Sequence, residues 1–513
     1  MNEDVRERSK WGVLIVVCLA IFILVIDTTM MNVSISALVV DLETDITVIQ
    51  AIIAIYALIM ASLILLGGKL GEIMGRKRVF LIGMIIYTIG TIVAALSVNA
   101  LMLLIGWAIL EGVGAALILP ATATFITTSY RGKERATAFG MWGGIAAAGA
   151  AFGPIIGGFL TTYVTWRLAF GMEVIIAVII LALFRWLPYT KPTLGWKDLD
   201  VLGAALSFFG LFFIVLGILQ LQKYDTWPMV PVYLALGAII MVAFGLWLRR
   251  RVRKGQVPLT DITLFRIRTF NFGNLVGTVQ NLTLAGFLFI IPIFMQSILD
   301  LEAFETGLVI LPTSITVFIF SVGATRLSNY INPKILVLLG IFISILGSFL
   351  LRDMFTPMVD LVDLLPGLLL FGIGLGLLLS QITNMTLSSA RDDQSSDASG
   401  VVNTMKQLGT SLGTALVGVV LFVAVFGAIV AGVVDTGVVP PDQEEQVAEM
   451  IMEWFDKLQK GEEPDIPEEI QPYLPEIMNR SATQGMRAAF DSISIMLGIA
   501  FVATLMIPRS MKD

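Results

Sequence analysis

Four ionisable side chains stand inside long apolar runs of this chain: Asp27, Glu111, Glu173 and Lys406. A charge held in hydrocarbon costs at least about 2.5–3.5 kcal/mol, so such a group normally faces a cavity or a partner. Withdrawal from water favours a carboxylic acid over its anion, which suits a group that must load and release protons. Histidine is absent, so no imidazole relay or imidazole metal site competes for that work. Asp27 is the first choice of proton carrier; the plainer alternative is a hydrogen bond to Asn32 or Thr28. Glu111 and Glu173 bind a cationic guest, titrate, or pair with Lys406 or Arg167. The excess of acids over nearby bases favours a cation-attracting cavity. Asn32, Asn274, Gln280, Asn281, Gln381 and Asn384 add neutral polar groups. They line that cavity together with Lys406, or they glue helices to one another.

These residues need a scaffold that crosses a bilayer, and the composition supplies one. The chain has 513 residues, 57% of them hydrophobic and only 14% charged. A soluble domain carries about 25% charge. Fourteen apolar runs begin near residues 11, 49, 79, 101, 137, 168, 200, 229, 270, 304, 334, 364, 399 and 486. Each is long enough to span about 30 Å of hydrocarbon as a helix. The first follows a polar stretch, 1–10, and is too long for a signal peptide, so it reads as a membrane helix. Basic residues crowd alternate loops, from Arg6 to Lys512, whereas the short loops opposite hold Arg167, Lys223 and Arg352. That bias places both termini in the cytoplasm. The lone Cys18 rules out a disulfide framework. One external segment, 433–483, is long and strongly acidic. Val447, Met450, Ile451, Trp454, Phe455 and Leu458 recur there at helical spacing, from a start at Asp442 and Glu445 to a stop at Gly461. An amphipathic helix lying on the membrane or on the protein is expected, followed by an irregular tail marked by Pro464, Pro467, Pro472 and Pro475.

Two small-residue patterns organise the helices. The first is Gly68-Lys69-Leu70-Gly71-Glu72-Ile73-Met74-Gly75-Arg76-Lys77-Arg78. Its glycines let two helix ends meet across a tight turn, its bases hold that turn in the cytoplasm, and Glu72 is placed to pair with a group on a neighbouring helix. Residues 325–334 echo it, with Arg326 and Lys334 kept and Asn329 in the place of Glu72. The echo predicts two six-helix halves with two further helices inserted between them. The second pattern is Gly140, Gly149, Gly153, Pro154, Gly157 and Gly158 in the fifth run. Gly149, Gly153 and Gly157 share one helical face that another helix can approach closely, and Pro154 kinks or hinges it.

On these residues the chain resembles the major facilitator superfamily. Gly68–Arg78 looks like its loop signature, Gly140–Gly158 like the fifth-helix signature of its antiporter branch, and Asp27–Val33 like the first-helix signature of the fourteen-span drug:proton antiporters. Trp166-Arg167, Met295-Gln296, Gly307 with Pro312, and Lys406-Gln407-Leu408-Gly409 extend the likeness. Ala108 stands where that superfamily carries an arginine linked to proton transfer, Glu111 where it carries a glutamine, and Glu173 where it offers an asparagine. Both last changes add a carboxylate within an apolar span. The resemblance implies an all-α membrane protein of 14 helices whose two six-helix bundles rock around a central cavity. The expected division is 1–10 as a cytoplasmic tail, 11–187 as one bundle, 188–269 as two extra helices with a linker, and 270–513 as the other bundle. It implies a plasma-membrane exporter of lipophilic or cationic compounds, driven by proton entry, not an enzyme. Such a protein acts as a monomer in lipid, without cofactor, metal or nucleic acid. No ATP-binding loop appears. Two alternatives stay open: another substrate class on the same fold, or a receptor or assembly factor that works through 433–483.

Overall fold

The computed structural model describes residues 3–508 apart from 223, 329, 392–393, 437–446, 452–453, 455–466 and 468. Among these residues there is no strand, and 14 helices are long and apolar enough to cross a membrane. They are α1 (Trp11–Val33), α2 (Ile46–Met74), α3 (Arg76–Ala95), α4 (Ala100–Ser129), α5 (Met141–Tyr163), α6 (Arg167–Trp186) and α7 (Val201–Leu219). They continue with α8 (Thr226–Arg253), α9 (Arg268–Ser297), α10 (Ala303–Leu327), α11 (Pro333–Met354), α12 (Leu365–Ser388), α13 (Asp397–Asp435) and α14 (Gln471–Leu505). We call the side where α1 starts basal and the other side distal.

The last helix starts about four turns earlier than its apolar pattern suggests. Pro475 lies in its first turn, where a missing N–H costs nothing, so the proline opens the helix and is not part of an irregular tail. The acidic segment before it packs on protein. Val447, Ile451 and Trp454 are buried against Ile429, Val430 and Val433 of α13 and Ile477 of α14. The expected features at Asp442, Glu445, Phe455, Leu458, Gly461, Pro464 and Asn329 fall outside the described residues.

Packing follows one scheme twice. In the first six helices α1 packs on α4, α5 and α6, α4 on α2 and α3, and α3 on α6. In the last six, α9 packs on α12, α13 and α14, α12 on α10 and α11, and α11 on α14. Each pair in one set has its counterpart eight helices later, as the weak sequence echo predicts. The two bundles meet along two seams, α2 with α13 and α5 with α10. Helix α7, backed by α8, lies over the α2–α13 seam, where Leu211 and Val215 join Ala54, Leu58 and Ala415. Among the described residues, neither inserted helix packs extensively along the α5–α10 seam.

Local chemistry fixes these seams. A side chain at Gly157 would strike the Met30 backbone of α1, and one at Gly158 would strike Ala303 and Phe304 of α10. Pro154 sits in the same contact, against Gly307, inside a helix that continues through it. Distally the Gln296 amide donates to the Val33 carbonyl at 2.8 Å, and Phe304 N–H to the Thr162 hydroxyl at 3.1 Å. Basally, Gly75 turns the chain from α2 to α3 at φ 88°, a backbone conformation that suits glycine. Glu72 pairs with Lys69 at 3.3 Å and approaches Arg76 at 4.0 Å. Lys69 makes the bridge between bundles, to Asp397 of α13 at 3.1 Å. Asp397 also accepts from the Asp261 N–H at 2.9 Å. Burial alone would raise Asp261. Hydrogen bonds from Gln394 and Thr263, with the charge of Arg391, outweigh it and hold the carboxyl below its ordinary 3.8. Arg78 is exposed, and Gly68 and Gly71 line the same turn.

Candidate functional site

Asp27, Glu111 and Glu173 come from α1, α4 and α6 and converge in the first bundle. One carboxylate oxygen of each lies within 4.8 Å of the others. All three side chains are fully buried. The Tyr87 hydroxyl of α3 donates to Glu173 Oε2 at 3.0 Å. Both oxygens of Asp27, both of Glu111 and Oε1 of Glu173 have no hydrogen-bond partner among the described residues. Tyr56 and Trp107 turn their polar atoms toward Asp27, but outside hydrogen-bonding geometry. Their rings lie 5.8 Å apart, tilted by 31°, and Trp107 meets Phe170 edge-on at 5.9 Å, which walls the cluster with aromatic carbon.

The backbone of α4 is modified where it serves this cluster. Residues Leu104–Glu111 wind as a π-helix, which inserts one residue per turn and redirects the side chains along it. Trp107, in its middle, and Glu111, its last residue, both face the cluster, with Ala108 buried between them. Gly90 of α3 lets this segment come close. A Cβ there would stand 2.7 Å from both the Glu111 nitrogen and the Gly106 oxygen.

Neither plain alternative for these acids is realised. Asn32 donates to the Thr28 carbonyl at 2.7 Å, and the Thr28 hydroxyl to the Val25 carbonyl at 3.0 Å, so both leave Asp27 alone. Arg167 pairs with Asp41, donates to the Ser97 carbonyl at 2.8 Å and lies over the Trp166 ring, all at the distal rim. Lys406 belongs to α13 in the other bundle. Among the described residues the three acids form no salt bridge. Two carboxylates ionised about 5 Å apart repel by about 3 kcal/mol at an effective dielectric constant near 20. The cluster can therefore be emptied of charge by protons or by a cationic guest, and nothing fixed within it does so.

The second bundle is polar in another way. Gln280 is 1% exposed with both amide atoms unpartnered, and Gln381 keeps an unpartnered Oε1 while its nitrogen donates to Ser380 at 3.2 Å. Asn274 donates to the Phe270 carbonyl and keeps Oδ1 unpartnered, and Asn281 donates to the Gly277 carbonyl. Asn384 is exposed, accepts from Ser388 and does not join this group. Lys406 lines a narrow cleft of about 10 Å³ with Gly273, Asn274, Gly277, Thr383 and Thr386. The three acids were visible in apolar runs, but not their proximity to one another. Tyr56, Tyr87 and Trp107 were not singled out, because a lone aromatic in a membrane helix gives no signal that separates a polar contact from lipid facing.

Comparison with known proteins agrees with this architecture. The sequence profile described as Major Facilitator Superfamily matches residues 17–414. The puromycin resistance protein pur8 of Streptomyces alboniger is 30% identical over 438 residues, 85% of each chain. The methylenomycin A resistance protein of Bacillus subtilis is 25% identical over 421 residues, 82% of this chain and 89% of that one. Among solved structures, a bacterial homologue of the human lysosomal transporter Spinster, inward-facing and unoccupied, superposes with a TM-score of 0.60 at 15% identity. The superposition covers 99% of this chain and 98% of that one, and it speaks to the fold.

Proposed function

The chain belongs to the Major Facilitator Superfamily, and from that premise we propose that it exports lipophilic compounds in exchange for protons that enter through the Asp27–Glu111–Glu173 cluster. It is a multi-pass membrane transporter, not an enzyme. The observation that carries the coupling is the cluster itself: three buried acids within 4.8 Å, with five of six oxygens unpartnered and no fixed cation beside them. Groups so costly to bury are kept where something mobile meets them. The superfamily arginine, replaced here by Ala108, is not needed in this scheme, because the acids exchange protons among themselves.

The cycle follows from the two-seam architecture. Residues 11–187 and 270–513 rock against one another about the central contact, with 188–269 between them. The basal side is cytoplasmic by the bias of its Lys and Arg, and the membrane is the plasma membrane of a bacterium, as the relatives' sources suggest. Proton loading from the distal side neutralises the cluster and allows its reorientation. A guest from the basal side, favoured when it is cationic, takes the place of the protons. Two relatives named for resistance to puromycin and methylenomycin A support export of small bioactive compounds. The working unit is a monomer, since one chain contains both bundles.

The test is transport in proteoliposomes holding the purified chain. A pH gradient, acidic on the distal side, is expected to drive uptake of a lipophilic cation such as ethidium toward that side. Asp27→Asn is expected to remove that dependence while leaving downhill counterflow. Transport by the unaltered chain that ignores the gradient, or full gradient response in Asp27→Asn, overturns proton coupling at this cluster.

A further inference from the structure

The three helices around the Lys406 cleft are α9, α12 and α13, and their sequences carry almost no acid. Neither α9 nor α12 contains Asp or Glu, and α13 contains Asp397 and Asp435 at its two ends. Both of these are engaged elsewhere, Asp397 with Lys69 and Asp435 with Arg480. Asp397 is also nine residues from Lys406, about 13 Å along a helix at 1.5 Å per residue. The acid cluster lies in the opposite bundle, toward the distal side. Asp27 stands six residues from the distal end of α1, whereas Asn274 and Thr386 beside Lys406 are within six residues of the basal ends of α9 and α12. No side chain within the described structure supplies the lysine with a counter-charge. Lys406 is half-buried in this cleft of about 10 Å³, which has room for roughly one water beside it.

The neighbours are suited to an anion. A Cβ at Gly277 would meet nothing within 4 Å, so the cleft continues past it as open space. Beyond it along the same helices stand Gln280 and Gln381, whose buried amides include an unpartnered Gln280 Nε2. We propose that the cleft lined by Lys406, Gly273, Gly277 and Thr383 is an anion subsite that receives the carboxylate of an acidic or amphoteric organic compound on its way out, with the ammonium supplying the charge-assisted hydrogen bond. The inference rests on the export reading above and adds a substrate class to it. An amphoteric guest carries its acid on the basal, lysine-bearing bundle and its amine toward the three acids, so that each bundle holds the opposite charge.

The test uses the full chain in nanodiscs of zwitterionic lipid and two probes with one ring system, 2-naphthoate and 2-naphthylmethylammonium. Binding is read as a concentration-dependent shift of melting temperature. Naphthoate affinity is expected to fall at least about tenfold in Lys406→Gln and to stay within a few-fold in Lys406→Arg, since one charge-assisted contact is worth about that factor. Naphthylmethylammonium affinity is expected to be unchanged in Lys406→Gln, which also shows that this variant is folded. Equal naphthoate affinity in Lys406→Gln, or stabilisation by the ammonium alone, overturns the subsite and leaves proton-coupled cation export standing. Loss of naphthoate binding when phosphatidylglycerol replaces the zwitterionic lipid assigns the cleft to a lipid headgroup and likewise overturns it. Failure of both probes together with a transport rate indifferent to pH removes the export reading itself.

Discussion

The two bundles repeat a packing scheme helix for helix, yet they bury opposite chemistry. The first hides three carboxylic acids in a ring of tyrosine and tryptophan. The second hides neutral amides and holds a half-buried lysine. Helix packing depends on where small residues let backbones approach, and duplication preserves that. Charge placement depends on individual side chains, which diverge freely once the scaffold is held. Energy input and guest recognition can therefore be assigned to different halves of one repeated frame.

The sharpest way to break this contrast is to give the second bundle an acid. Gln280→Glu places a carboxylate among helices whose only bases are Lys406 and, at the basal end of α9, Arg268. It is expected to cost about 2.5–3.5 kcal/mol at neutral pH, read as a fall in melting temperature that adding Lys406→Gln deepens. Next comes a matched pair of glycines. Gly90→Ala drives a methyl into the Glu111 backbone and is expected to destabilise by about 1–3 kcal/mol. Gly277→Ala meets open space and is expected to stabilise slightly, by about 0.5–1 kcal/mol, through helix propensity. Equal melting shifts for the two would remove the claim that α3 closes tightly on α4 behind the acids while the wall of the lysine cleft stays open. Tyr87→Phe deletes the one hydroxyl bonded to an acid of the cluster, at an expected cost of about 0.5–1.5 kcal/mol and with a changed pH midpoint of transport. An unchanged midpoint would detach Tyr87 from proton handling. The smallest effect belongs to the basal ion pair. Lys69→Met and Asp397→Asn, partly exposed partners, are expected to couple by about 1 kcal/mol or less in a double-mutant cycle.

Much of the frame could be read directly. Hydrophobic length gave all fourteen spans, because oil demands about twenty apolar residues whatever the tertiary partners are. The stripe at Gly149, Gly153 and Gly157 announced a close helix contact but not which helix, and it proves to serve α1 while Gly158 serves α10. The start of α14 was hidden, since Pro475 reads equally as a breaker or as a first-turn residue. At the site, acids in apolar runs were plain, but their convergence needed three helices to be placed in space. The π-helix left no trace in sequence, because its register is set by the α3–α4 contact and not by local propensity. Lys69, three residues before Glu72, reaches Asp397 across the bundles, a role that its place in a basic turn did not announce.

The helix laid over the α2–α13 seam has a mechanical corollary. Two shells bound along one edge part most easily along the other. Among the described residues the edge without an inserted helix runs between α5 and α10, and in a bilayer it is expected to border the acyl chains. A compound already dissolved in the leaflet can then slip in sideways, without first returning to water.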